Sequence, residues 1–270
     1  MYKYEMIEYH AGATVEVVRY IPRRFRKESA ALRIKKTREE IRKGNMIQAA
    51  RKLTRKINAN FKPGDLHVVL TYRRERSPGR EQAQKNIESL LGRLRRQYRK
   101  AGKILKYILV TEYKSTSIHH HMIVNNINDG KETTQDYIRK AWREQGISHY
   151  TPLYDNADYQ VLAEYLIKET ERTFRDPDSP VKQRYSCSRN LVDPKERHRT
   201  VRAKRPWAQD PPPRQGYYID KDSLYNGWDR LGFPYQRYTM IKLVPAEDDW
   251  PPDDWVPPAR KAGRKKKGGG

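Results

Sequence analysis

The sequence predicts an α+β fold, a central and mostly antiparallel sheet of about five strands flanked by helices. Three observations predict it. Short apolar runs of strand type, bounded by turn residues, recur at 66–72, 106–113, 118–125 and 148–152. Segments with helical spacing of apolar residues lie between and after them, at 80–101, 133–144 and from Asp158 to about Arg172. Two of the strand runs are separated only by the polar stretch 114–117, which makes a hairpin and therefore antiparallel pairing.

Taken in order, residues 2–9 and 14–20 flank a small turn around Gly12 and read as a hairpin. Residues 22–60 are basic and compatible with helix. Arg23, Arg24, Lys35 and Lys36 are read there as contacts to a DNA backbone, since each neutralised phosphate releases counterions. The strand at 66–72 starts after a Pro-Gly turn. In the helix at 80–101, Ile87, Leu90, Leu91, Leu94 and Tyr98 form the apolar stripe. Arginines surround that stripe, and Arg93 and Arg96 are read as further DNA contacts. The helix beginning near Asp158, read as its cap, has Val161, Leu162 and Leu166 as its apolar face. Residues 184–189 are read as strand or loop, 204–213 as an extended Pro-rich linker, and 216–244 as weakly strand-like and rich in tyrosine. The end, acidic at 247–254 and basic at 264–267, is expected to be disordered. The expected organisation is a basic hairpin and helical arm at 1–60, a catalytic domain at 61–192, a linker and Tyr-rich extension at 193–244, and a charged tail at 245–270.

Composition narrows the function. The 270 residues carry 57 Lys and Arg against 33 Asp and Glu, a net charge of +24. Such an excess favours a polyanionic partner, with nucleic acid ahead of an anionic membrane surface. No apolar run approaches spanning length and no leader pattern is visible, so a soluble, cytoplasmic protein is expected. Cys187 is the one cysteine, which excludes an internal disulfide framework and Cys-rich zinc modules. The 19 tyrosines and 5 tryptophans, interleaved with cations, suit stacking on unpaired bases, although most are expected to be core or half-buried strand residues.

Two constellations carry chemistry. In the run 118–125, strand alternation points His119 and His121 to one face and His120 to the other. Glu112, near the end of the preceding strand, faces them across the hairpin. Two imidazoles and a carboxylate make a divalent-metal site with open positions. His120 is assigned a structural role, and His67, His149 and His10 are read as ordinary polar or core histidines. In the helix after Asp158, Tyr165 and Lys168 are neighbours one turn apart. A metal-polarised phosphodiester, a tyrosine nucleophile and an adjacent lysine together suggest phosphoryl transfer through a covalent intermediate. The metal set alone also suits a non-haem iron oxygenase, but the charge and the tyrosine pair do not belong to one.

The residues resemble the HUH endonucleases, and within them the rolling-circle replication initiators (Rep proteins) of bacterial phages, plasmids and integrative elements. The resemblance rests on Ile118-His119-His120-His121-Met122-Ile123, on Glu112 upstream, on Tyr165-Leu-Ile-Lys168, and on 68–72 as the first Rep motif, and it spans about residues 60–190. It implies a nuclease that nicks and rejoins single-stranded DNA at an origin through a 5′-phosphotyrosine. His119, His121 and Glu112 would hold Mg²⁺ or Mn²⁺, Tyr165 would attack, and Lys168 would assist. The chain departs from the family pattern in having one motif tyrosine, a histidine between the two ligands, and no P-loop. The resemblance therefore implies that helicase and polymerase come from the host. A relaxase or a single-strand transposase shares the constellation, and a non-catalytic DNA-binding protein is the alternative outside catalysis.

Overall fold

A computed structural model describes residues 1–22, 37–113, 117–175, 183–205, 207–229 and 233–256. Arg23, Arg24, Lys35 and Lys36 lie outside the described residues, as do most of the expected turn at 114–117 and the basic end at 264–267. The fold is α+β, as expected, but it is built on two antiparallel five-stranded sheets rather than one.

The first, here the histidine sheet, has the strand order β6-β3-β5-β4-β7. Its strands are β3 (Leu66–Tyr72), β4 (Tyr107–Tyr113), β5 (Ile118–Val124), β6 (Gly146–Pro152) and the short β7 (Ser186–Cys187). Period-2 alternation divides it into two apolar faces. Leu66, Val68, Leu70, Tyr107, Leu109, Met122 and Val124 bury against α2 (Arg80–Lys100) and α3 (Thr134–Trp142). Ile108, Val110 and Ile123 bury against α1 (Arg38–Asn60) and α4 (Gln160–Glu169), through Leu53, Ile57, Leu162 and Leu166 among others. A sheet covered on both sides needs apolar residues at both parities, which is why these strands read as near-continuous hydrophobic runs.

The second, here the terminal sheet, has the order β8-β1-β2-β10-β9. It joins the N-terminal hairpin β1 (Tyr2–Ala11) and β2 (Thr14–Tyr20) to β8 (Lys195–Ala203), β9 (Tyr217–Trp228) and β10 (Pro234–Lys242). Tyr4 pairs with Val201 and Val17 with Tyr238. The residues expected to form a separate arm and a separate extension thus share one sheet, and 195–203, expected within a linker region, is a strand.

Three further expectations are corrected. The basic helix within 22–60 is no free arm over residues 38–60: Ala50, Leu53 and Ile57 recur at helical spacing and are buried on the sheet. Asp158 does not cap α4, whose first residue is Gln160 with Tyr159 before it. Asp158 instead accepts from Asn58 Nδ2 at 3.0 Å, tying the turn to α1, and the helix is broken at Thr170 before α5 (Glu171–Arg175). Residues 245–256, expected in a disordered tail, pack on the body. The Trp250 indole donates to the Asn58 carbonyl at 2.9 Å, and the Pro251 carbonyl accepts from Lys106 Nζ at 2.7 Å. An indole ring buried in an apolar niche with its N–H satisfied outweighs the charge of the acidic residues around it. Those carboxylates also meet lysines, Asp249 pairing with Lys242 and Glu247 with Lys62.

Gly12 makes this junction possible. It sits at φ +56°, and a Cβ there would fall 2.1 Å from the Asn58 oxygen and 2.6 Å from the Trp250 indole nitrogen. No residue with a side chain fits that turn.

Candidate active site

The site is assembled where the α1/α4 face of the histidine sheet changes from apolar to polar. Along β4 the residues on this face are Ile108, Val110 and Glu112, and along β5 they are Ile123, His121 and His119. The register sets Glu112 directly opposite His119 and Val110 opposite His121, so the carboxylate and the two imidazoles share one patch, as the alternation predicted. Glu112 and His121 are buried and His119 is half-buried.

His120 points through the sheet, as predicted. It is buried between the Tyr72 hydroxyl at 3.0 Å and the Thr111 hydroxyl at 2.9 Å. Burial first, and then the neighbouring His121 and His119, push its pKa down to about 3, so it is neutral.

His67 is the residue that sequence reasoning set aside. It lies on the same face of β3, opposite Ile123, and its ring stacks on His121 with centroids 5.6 Å apart and planes 14° apart. Burial pushes its pKa down to about 4, and its Nε2 is buried without a hydrogen-bond partner among the described residues. Its strand parity was readable, but only the β3–β5 register brings it beside His121.

Tyr165 reaches the patch from the other side. On α4, Leu162, Ala163, Leu166 and Ile167 are buried, while Val161, Glu164, Tyr165 and Lys168 face outward. Tyr165 stands at the border of these two faces, 42% exposed. Its ring meets His121 edge-on, with centroids 5.5 Å apart and planes at 79°. His121 is therefore sandwiched between His67 and Tyr165. Lys168 is exposed one turn farther along. Tyr159, the other tyrosine near this motif, is fully buried with its hydroxyl directed at the Tyr154 carbonyl, so it is not a second accessible hydroxyl.

The C-terminal end of α4 is anchored just beyond Tyr165. Glu171 is buried and receives Arg42 at 3.0 Å, Arg184 at 2.6 Å and Arg175 at 2.5 Å. Burial alone would raise its pKa, but the Arg184 hydrogen bond and the charges of Arg184 and Arg175 outweigh that and hold it below the usual glutamate value. The Thr173 hydroxyl accepts from the Tyr113 backbone N–H at 3.1 Å, so α5 is pinned to the end of the strand that carries Glu112.

The donor set fits a divalent cation: two neutral-capable imidazoles and a carboxylate on adjacent strands. Among the described residues, however, no three His, Cys, Asp or Glu side chains are already gathered around one point. His119 instead shares a 2.9 Å hydrogen bond with the Ser117 hydroxyl. The α2 arginines do not join the site. That helix covers the opposite face of the sheet, where Arg93 and Arg96 are exposed and Arg93 donates to the Ala141 carbonyl at 3.3 Å.

Residues 65–170 match a family described as replication-associated protein, of the ORF2 and gene 2 protein type. The matched stretch runs from β3 through α4 and holds His67, Glu112, His119, His121, Tyr165 and Lys168. No curated protein and no solved structure matches the chain. The match supports a replication-associated protein, a replication initiator acting on DNA. Among the described residues no helix is long and apolar enough to cross a membrane.

Proposed function

We propose that the protein is an HUH-type endonuclease of a phage, plasmid or integrative element, which nicks and rejoins single-stranded DNA at a replication origin. The observation that carries this reading is the edge-on contact of Tyr165 with His121, which sets a phenol beside a histidine-carboxylate patch. His119, His121 and Glu112 would hold Mg²⁺ or Mn²⁺, with His119 exchanging its Ser117 partner for the ion. A bound divalent cation supplies charge stabilisation at the non-bridging oxygens of the scissile phosphate.

The chain's own residues do the rest. The Tyr165 phenol oxygen attacks phosphorus in line, forming the tyrosyl–phosphate bond as the bond to the 3′ oxygen breaks. The phenolic proton leaves to solvent, and the departing 3′ oxygen takes up a proton to become a free hydroxyl. Lys168 neutralises charge on the phosphoryl oxygens from one turn away. His67, stacked on His121, fixes the plane of that imidazole, and the arginine clamp on Glu171 fixes the end of α4. The phosphotyrosine conserves the bond energy, so attack by a 3′ hydroxyl reseals the strand. A host helicase and polymerase would supply unwinding and synthesis.

The test is transfer of a labelled 5′-phosphoryl strand to the protein, read on a denaturing gel with and without Mn²⁺. A metal-dependent adduct that disappears in Tyr165→Phe is expected. An adduct that survives in Tyr165→Phe moves the nucleophile elsewhere, and the absence of any adduct leaves a DNA-binding protein without this chemistry.

A further inference from the structure

A groove of about 740 Å³ lies along the β7 edge of the histidine sheet, between the last turns of α2 and the segment after β7. Four cations line it: Arg95 and Arg99 from α2, Lys103 from the loop that follows, and Arg189. Among the described residues no Asp or Glu does. Its floor is Leu105, Tyr107 and Asn190, all buried.

The floor is held in place by its own hydrogen bonds. The Tyr107 N–H donates to the Ser188 hydroxyl at 3.1 Å, the Ser188 N–H donates to the Tyr107 carbonyl at 3.0 Å, and Asn190 Nδ2 donates to the Leu105 carbonyl at 3.3 Å. Arg95 donates to the Tyr107 hydroxyl at 3.0 Å, and none of the four cations has a carboxylate partner among the described residues. The C-terminal dipole of α2 accounts for a cation such as Arg99 beside it. It does not account for Lys103 and Arg189, which come from separate segments and converge on the same concavity. Like charges gathered in a depression focus the potential and concentrate an anion.

We propose that this groove binds the phosphate backbone of an unpaired DNA segment, as a second contact apart from the nicking centre. The volume matches a nucleotide-sized ligand, and an apolar floor beside cations accommodates a base as well as its phosphate. A duplex backbone would use the cations and leave the floor empty. The groove begins at Tyr107, five residues before Glu112 on β4, about 17 Å along the strand from the histidine patch. A strand held in both places has its position fixed across the sheet. The proposal rests on the protein's action on DNA.

The experiment measures anisotropy of a short, dye-labelled, mixed-sequence single strand with the full chain and its Arg99→Ala/Lys103→Ala/Arg189→Ala variant across a salt series. These side chains are exposed, so the fold is not at issue. The slope of log affinity against log salt is expected to become shallower by about 2, some 0.7 for each of three lost phosphate contacts. Cys187 lines the groove and is the one cysteine of the chain, so the bound strand is expected to slow its maleimide labelling several-fold in the parent protein. An unchanged slope overturns the proposal, and an equal loss on duplex DNA overturns the assignment to an unpaired strand. The Tyr165 adduct assay separates this outcome from the nicking reading. An adduct with an unchanged slope removes the groove alone, and a lowered slope without an adduct removes the nicking chemistry alone.

Discussion

The two sheets are made of similar numbers of strands but are held together differently. The histidine sheet is sandwiched by helices and buries apolar side chains on both faces. The terminal sheet has one small apolar cluster, Tyr4, Met6, Val15, Val17, Tyr238 and Met240, and relies elsewhere on buried carboxylates paired with arginines. Glu8 meets Arg199 and Arg214, each at 3.0 Å, and Glu16 meets Arg55 at 2.5 Å. The chemistry-bearing residues sit on the first, where both-sided packing holds strand register rigidly. The comparison teaches a division of roles: the histidine sheet positions reacting groups, and the terminal sheet closes the N- and C-terminal segments of the chain around α1.

That division is open to direct breakage. The largest effects are expected at the site. His119→Ala and His121→Ala should lower metal-dependent adduct formation by about 10²-fold or more, as losing a metal ligand or an essential charge stabiliser does. Strand-binding affinity should change little. Adduct formation at parental rates by both variants would remove the metal assignment.

Gly12→Ala should cost about 3 kcal/mol, combining a left-handed backbone conformation with collision against Asn58 and Trp250. Denaturant unfolding measures it, and a loss below about 0.5 kcal/mol would show that the junction between turn, α1 and Trp250 has no such tightness.

Met240→Ala, in the core of the terminal sheet, should cost about 2–4 kcal/mol while leaving the adduct rate per folded molecule unchanged. A large fall in that rate would mean that the two sheets are not separable in role.

Glu171→Gln should cost about 1–2 kcal/mol, less than a fully buried pair, because Arg42 and Arg175 are half exposed. Since α5 is pinned to β4 and α4, it should also slow adduct formation modestly. The smallest effect is on pH. Glu171 and Glu8 both have folded-state pKa values below the usual 4.5, so the stability they contribute is complete above that value and fades as pH falls below it. Melting measured downward from pH 5 should show a shallower fall for Glu171→Gln than for the parent, and parallel curves would contradict the clamp.

Much of the histidine sheet was legible because its information is local. Apolar runs with turn residues between them marked 66–72 and 107–124 as strands, and the spacing of Ile87, Leu90, Leu94 and Tyr98 marked α2. The same local logic put His119 and His121 on one face and His120 on the other. The helical face of α1 was also present in Ala50, Leu53 and Ile57, but the density of Lys and Arg around it suggested a free arm. The terminal sheet was not legible in this way. Its pairing of Tyr4 with Val201 and of Val17 with Tyr238 joins segments about two hundred residues apart, and its strands carry charges that lower their apparent strand character. A lysine- or arginine-rich strand looks like a linker until a buried carboxylate on its neighbour is known.

By itself, then, the sequence determined the strands and helices of the central α+β unit, the parity of its histidines, and the adjacency of Tyr165 and Lys168, because strand and helix periods are properties of consecutive residues. Only the tertiary structure decided which strands are neighbours. That choice put Glu112 opposite His119, stacked His67 on His121, laid Tyr165 against the same ring, and gathered Arg95, Arg99, Lys103 and Arg189 around one groove. Register and helix docking are set by the sum of many distant contacts, and no local period encodes them.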